Sequence, residues 1–194
     1  LYPDALVSTH WLEKHLGAPN VCIVDATYYL PDDSRSAIDE FKLRHIPGAV
    51  FFDIDVICDN KTQAPHMLPS SNKFSSKVGK LGLTNHDRII VYDNSGGFLA
   101  ACRVWWMFKV FGHNNVAVLN GGLPKWNAEN RPLNNGRIQP QKKVFSAIRN
   151  NDLVKDLSQI QENIAHQNFQ VIDARSSSRY LGIDDEPRPT IKKG

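Results

Sequence analysis

The chain has 194 residues, 41% of them hydrophobic and 22% charged, with a formal net charge of +3. This is the composition of a soluble globular protein with ample apolar material for a core, and its mixed charges include no basic block of the kind that binds nucleic acid. No apolar run reaches membrane-spanning length, the opening LYPDALVSTH lacks the form of a signal peptide, and Cys22, Cys58 and Cys102 suit neither a disulfide framework nor a zinc site, so a reducing, cytoplasmic setting is expected.

STHWLEKHLG predicts a first helix over Ser8–Leu16, with a hydroxyl N-cap, apolar residues at helical spacing and a terminal glycine. VCIVDA (Val21–Ala26) is a short apolar, β-rich run and predicts a buried strand. IDEFKLRHIPGAVFFDI reads as a short helix, a Pro-Gly turn and a second strand at Ala49–Phe52. A long polar loop, CDNKTQAPHMLPSSN, leads to a helix around Lys73–Lys80, and RIIVYD (Arg88–Asp93) is another buried strand. SGG opens the helix LAACRVWWMFKVFG, which ends at Gly112; VAVLNGG is the next strand and LPKWNAEN a short helix. Strands that are apolar on both faces and alternate with helices predict an α/β fold, a parallel sheet with helices on both sides. NRPLNNGRIQP (Asn130–Pro140) has the composition of a linker.

A repeat follows it. Leu6-Val7, a helix and a strand ending at Asp25-Ala26 are matched by Leu153-Val154, a helix and a strand ending at Asp173-Ala174. The copies are offset by 148 residues, which predicts a tandem pair of similar domains. The boundaries expected are 1–140 for the first domain and 141–194 for a linker and the opening of an incomplete second copy.

Two sets of residues have the chemistry of a site. Arg179 and Arg188 flank YLGIDDEP after the second copy's strand, where two guanidinium groups could grip a small anion by paired hydrogen bonds. They could equally pair with Asp184, Asp185 or Glu186. Asp55 and His66 bracket the loop DVICDNKTQAPH, and an Asp–His pair can orient and polarise a hydroxyl. Local capping is the competing role for both. Arg175, His45 and Asp53 read as structural, and Trp105, Trp106 and Trp126 as packing residues. Cys22 and Cys102 read as core residues, whereas Cys58, in a polar loop, reads as exposed. Nothing calls for a metal or an organic cofactor.

Several of these segments together resemble the tandem rhodanese-type sulfurtransferases, most closely their 3-mercaptopyruvate branch. FKLRHIPGAVFFDID is similar to the first family signature; HMLPSSNKF, VYDNSGGFLAACRVWWMFKVFGH and VLNGGLPKW are similar to the rest of the N-terminal domain; DARSSSRYLGIDDEPRPTIKKG is similar to the start of the C-terminal one. The resemblance implies a rhodanese-like fold. It also implies transfer of sulfur from a small anionic donor to a thiol acceptor, such as thioredoxin or a small thiol, through a cysteine persulfide. The nucleophilic cysteine of such proteins lies in a CGSGVTA-type loop of the C-terminal domain. The equivalent loop in this sequence carries Asp93 in its place, so this domain is expected to be catalytically silent. The cysteine is expected about 47 residues past Gly194 by the repeat offset. By the same resemblance Arg179 matches a donor-binding arginine of both thiosulfate and mercaptopyruvate enzymes. Arg188 matches one typical of the mercaptopyruvate branch, and Asp55 and His66 match members of a proton-handling triad. A thiosulfate sulfurtransferase, or a stand-alone inactive rhodanese domain that binds or regulates, are the alternatives.

Overall fold

The computed structural model describes residues 4–31, 33–62, 64–186 and 192–193. They form two compact units, Leu1–Val154 and Lys155–Gly194.

The first unit is built on five parallel strands: β1 (Leu6–Val7), β2 (Val21–Asp25), β3 (Ala49–Phe51), β4 (Arg88–Tyr92) and β5 (Val116–Leu119), in the order β1-β5-β4-β2-β3. The alternation of side chains along β4 sorts the core. Ile89 and Val91 face one side, where they meet Phe74, Val78, Val104 and Phe108. Those residues belong to helices α4 (Ser71–Lys80) and α5 (Ala100–Val110). Ile90 and Tyr92 face the other side, with Leu12, Phe41, Leu123 and Trp126. These come from α1 (Thr9–Lys14), α2 (Ala37–Leu43) and α6 (Gly122–Ala128). Both faces of the sheet are therefore covered, as strands apolar on both sides require.

Three helices begin where the sequence offers a hydroxyl. Ser8, Ser36 and Ser70 accept backbone N–H bonds from Trp11, Asp39 and Lys73 at the starts of α1, α2 and α4. Small elements such as the two-residue β1 and α3 (Ile54–Ile57), a single turn capped by the Asp53 carboxylate, had no sequence signal. The predicted strand and helix limits otherwise agree with these elements to within a few residues at either end.

The stretch predicted as a linker is a strap on the sheet's open edge. His45 and Asn134 exchange backbone hydrogen bonds of 2.9 Å each, Gly136 N–H donates to the Lys42 carbonyl at 2.7 Å, and Ile138 packs against both core clusters. The chain then stays on the same unit. Lys143 N–H donates to the Gly79 carbonyl at 2.9 Å, Phe145 is 4% exposed in the α4/α5 core, and Asn150 N–H donates to the Val110 carbonyl at 2.7 Å. The division after Val154 thus differs from the expected boundary after residue 140, because 141–154 contributes a core residue and backbone hydrogen bonds to the ends of α4 and α5.

In the second unit, α7 (Leu157–His166) opens with a capping box formed by Asp156 and Gln159. The Asn163 side chain then clasps the backbone of Phe169, donating to its carbonyl at 2.8 Å and accepting from its N–H at 2.9 Å. A four-residue helix, α8 (Ser177–Tyr180), follows. The buried strand predicted at Val171–Asp173 is absent: Val171 and Ile172 are 61% and 78% exposed. Among the described residues no strand lies beside this segment, and a strand exists only through its ladder partners.

Candidate functional site

The carboxyl ends of β2, β3 and β4 carry the polar loops of the first unit, the usual place for a site in a parallel sheet. After β3, Asp53 caps α3 by accepting the Val56 N–H at 3.2 Å. The cap sets the direction of the single turn that bears Asp55. The loop beyond it folds back, closed by the Asp59 N–H bond to the Met67 carbonyl at 2.8 Å, and returns His66 to Asp55. His66 Nε2 lies 2.7 Å from Asp55 Oδ1. The Asp55 side chain is 67% exposed and the His66 side chain 17%, so the imidazole is the sheltered member. Its ring meets Tyr28 edge-on at 4.8 Å between centroids. A cleft of about 140 Å³ lies beside the pair, lined by Thr27, Tyr28, Phe51, Asp53 and Asp55 among others. With Nε2 committed to Asp55, Nδ1 of His66 is left to give or take a proton.

A polar network joins Tyr29, next to Tyr28 of the cleft, to α2, whose Ala37 and Ile38 line the cleft. Arg35 grips Glu40 with two bonds of 2.7 Å, Tyr29 donates to the same carboxylate at 2.7 Å, and Asn94 reaches both Tyr29 and Glu40. Burial, with Glu40 adding to it, pushes the Tyr29 phenol up to about 12. The hydrogen bonds from Arg35 hold Glu40 below the ordinary glutamate range. Tyr29, Arg35 and Glu40 lie within one stretch of the chain, whereas Asn94 comes from the loop after β4.

The loop after β4 is an anion cradle that is already filled. Asp93 Oδ1 accepts from the Ser95 N–H at 2.9 Å, the Ser95 hydroxyl at 2.7 Å and the Gly97 N–H at 2.8 Å; Oδ2 accepts from the Ala101 N–H at 2.9 Å in the first turn of α5. The chain's own carboxylate thus takes the donors that an external anion or a thiolate would need. Gly97, at φ +94°, makes this turn possible, and a Cβ there would stand 2.9 Å from the Leu119 carbonyl oxygen.

Two cysteines exchange their expected places. Cys58 is buried, not exposed, because it ends α3 under the returning loop, with Sγ donating to the Asp55 carbonyl at 3.2 Å. Cys102 is exposed, not core, because Ala101, Val104 and Phe108 form the inward face of α5. Its thiol, 3.0 Å from the Gly97 carbonyl, is raised by burial and by Asp93. Cys22 is half-buried, and burial followed by Asp87 pushes its thiol up to about 11. Both raised thiols, Cys22 and Cys102, thus lack the setting of a reactive thiolate.

In the second unit, Arg179 on α8 pairs with Glu186, whose side chain is 3% exposed. Arg175 donates to the same carboxylate at 2.6 Å and to Asp173 at 2.8 Å. Asp184 accepts instead from Ser178, and Asp185 from Lys193 at 2.6 Å. Arg179 retains a buried Nε without a hydrogen-bond partner among the described residues. Arg188 lies outside the described residues. The structure therefore brings Asp55 and His66 together and gives Arg179 a carboxylate partner. No group of three or more His, Cys, Asp or Glu among the described residues could hold a metal ion.

A family model for the rhodanese-like domain matches residues 8–129. The sequence is 42% identical to the 3-mercaptopyruvate sulfurtransferase of Homo sapiens over 195 residues, covering 98% of this chain and 66% of that protein. It is also 42% identical to the thiosulfate sulfurtransferase of Rattus norvegicus over 188 residues, covering 94% of this chain and 63% of that protein. The chain thus spans a little under two thirds of either relative. Among solved structures it is similar to SseA of Escherichia coli, described as a 3-mercaptopyruvate sulfotransferase, with a TM-score of 0.86 and 34% identity over 91% of this chain and 67% of that one.

Proposed function

The chain belongs to the rhodanese-like domain family, and on that premise we propose that it is the non-nucleophilic part of a sulfurtransferase acting on 3-mercaptopyruvate. In this reading a cysteine thiolate beyond these residues attacks the donor sulfur. The C–S bond breaks, its electron pair passes into the pyruvate enolate, and the cysteine becomes a persulfide. A proton delivered to the enolate completes pyruvate, and an acceptor thiolate then takes the outer sulfur and restores the cysteine thiolate. His66, held by Asp55, handles the proton at the donor carbonyl. Arg179 and Arg188 hold the donor carboxylate. The observation that carries the reading is the 2.7 Å contact of His66 with Asp55 beside a cleft at the strand ends. Identity with the human enzyme supports the choice of donor.

Thiosulfate is the competing donor, favoured by equal identity to the rat thiosulfate enzyme. Steady-state rates of the native protein on both donors separate the two. A preference for mercaptopyruvate that collapses on Arg188→Ala is the expected result, and an unchanged preference would sink it. The filled Asp93 loop favours a third reading, a stand-alone binding domain. An intact mass near 21.9 kDa for the native protein would support that one. The acceptor is proposed to be thioredoxin or a small thiol, and the location the cytoplasm, on the strength of three free cysteines. No helix among the described residues is long and apolar enough to cross a membrane.

A further inference from the structure

Arg103 lies on α5, inside the apolar run Ala101 to Phe108, yet its guanidinium points toward the Asp55–His66 loop. One of its Nη2 hydrogens goes to the His66 carbonyl at 2.6 Å. The guanidinium carbon is 4.5 Å from the centre of the Trp106 ring, a cation–π distance. Burial lowers its pKa. No carboxylate pairs with it among the described residues. A half-buried cation left without an anion is costly, and here its charge is turned on a single backbone carbonyl.

That carbonyl belongs to a residue with an uncommon backbone. His66 has φ +55°, the left-handed region, which a non-glycine residue occupies only where its surroundings hold it. Two bonds clamp this point of the loop. The Met67 carbonyl is taken by the Asp59 N–H from within the loop, and the His66 carbonyl is taken by Arg103 from a different element. The first clamp closes the loop, and the second fixes the peptide that carries the imidazole. If that peptide turned to the ordinary right-handed region, the ring would leave both Asp55 and Tyr28.

We propose that Arg103 is a positioning residue, which pins the His66 peptide in its left-handed conformation and so keeps the imidazole on Asp55. Its consequence for turnover rests on the sulfur-transfer role given to Asp55 and His66 above. The geometric part is read on the 194-residue chain labelled with ¹⁵N-histidine, following the His66 imidazole N–H resonance that Asp55→Ala removes. Arg103→Met should lose or broaden that resonance and Arg103→Lys should restore part of it; a resonance unchanged in Arg103→Met overturns the proposal. Should the Met variant not fold, the Lys variant alone carries the comparison, because it keeps a donor but loses the flat stack on Trp106.

The catalytic part is a double-mutant cycle in the native protein. Arg103→Met should lower kcat about tenfold with little change in KM, as displacement of a reacting group does. On a His66→Ala background it should cost less than about twofold, since the two act as one unit. Additive losses overturn the proposal. If His66→Ala itself leaves kcat unchanged, the sulfur-transfer role of His66 fails, and the resonance experiment still decides whether Arg103 positions it.

Discussion

At the scale of the residue, the most consequential buried group outside the cleft is Asp25, the last residue of β2 and 2% exposed. Burial raises its pKa above the ordinary aspartate range, partly offset by hydrogen bonds from Thr27 and Tyr92, while Asp93 pushes it further up. A carboxyl whose folded pKa is raised binds its proton more tightly in the native state. Its contribution to stability is therefore fully present below the unfolded pKa and is lost as pH rises through the folded pKa. Asp25→Asn keeps an acceptor for the Thr27 N–H, which sits 2.8 Å from the present Oδ1, and removes the titration. The variant should gain on the wild type as pH rises from about 4 toward neutrality. Urea midpoints of both proteins across that range are the check; parallel curves would show that Asp25 is not the group that titrates. Single residues were unevenly legible in the sequence. Asp55 and His66 could be paired because they bracket one loop. Arg103 was hidden by its apolar neighbours, and Cys58 and Cys102 exchanged roles because neither the loop's return nor the helix's facing is written in local polarity.

At the scale of the element, parallel strands and their covering helices were legible because burial on both faces leaves continuous apolar runs. What escaped was the segment after α6. Asn, Pro and Gly mark it as irregular, and irregular was read as unattached, whereas its backbone bonds to His45, Lys42 and Gly79 make it the cover of the sheet edge. Gly79 shows how tightly that cover fits. A Cβ there would lie 2.5 Å from the Lys143 carbonyl oxygen, a backbone atom that cannot swing aside. Glycine inside a helix is ordinarily worth replacing, and alanine gains about 1 kcal/mol in helix propensity. Here the overlap must push the strap and Phe145 outward, at about 1–3 kcal/mol. Gly79→Ala should therefore lower the thermal midpoint or at best leave it unchanged. A rise of several degrees would mean that the strap moves away at no cost.

At the scale of the whole molecule, the repeat predicts the opening of a second domain, and the described residues of the second unit hold two helices and no strand. Among the described residues, both core clusters, with the partly buried side chains packed on them, run no further than Ala147. The second unit instead leaves Leu157, Ile164, Val171, Ile172, Leu181 and Ile183 exposed. A strand is fixed by its neighbours, and among the described residues none pairs with Val171–Asp173. The stability of these 194 residues should accordingly reside in the first unit. A fragment ending at Val154 should unfold with the same urea midpoint as the whole chain. A fragment ending at Pro140 should be destabilised by about 3–5 kcal/mol, the cost of removing a buried phenylalanine, because it loses Phe145 from its contacts with Phe74, Phe108 and His113. Equal midpoints for the two fragments would place the end of the folded domain at the Asn130–Pro140 segment. A Val154 fragment markedly weaker than the whole chain would instead mean that residues after 154 contribute to the core's stability, against the burial pattern.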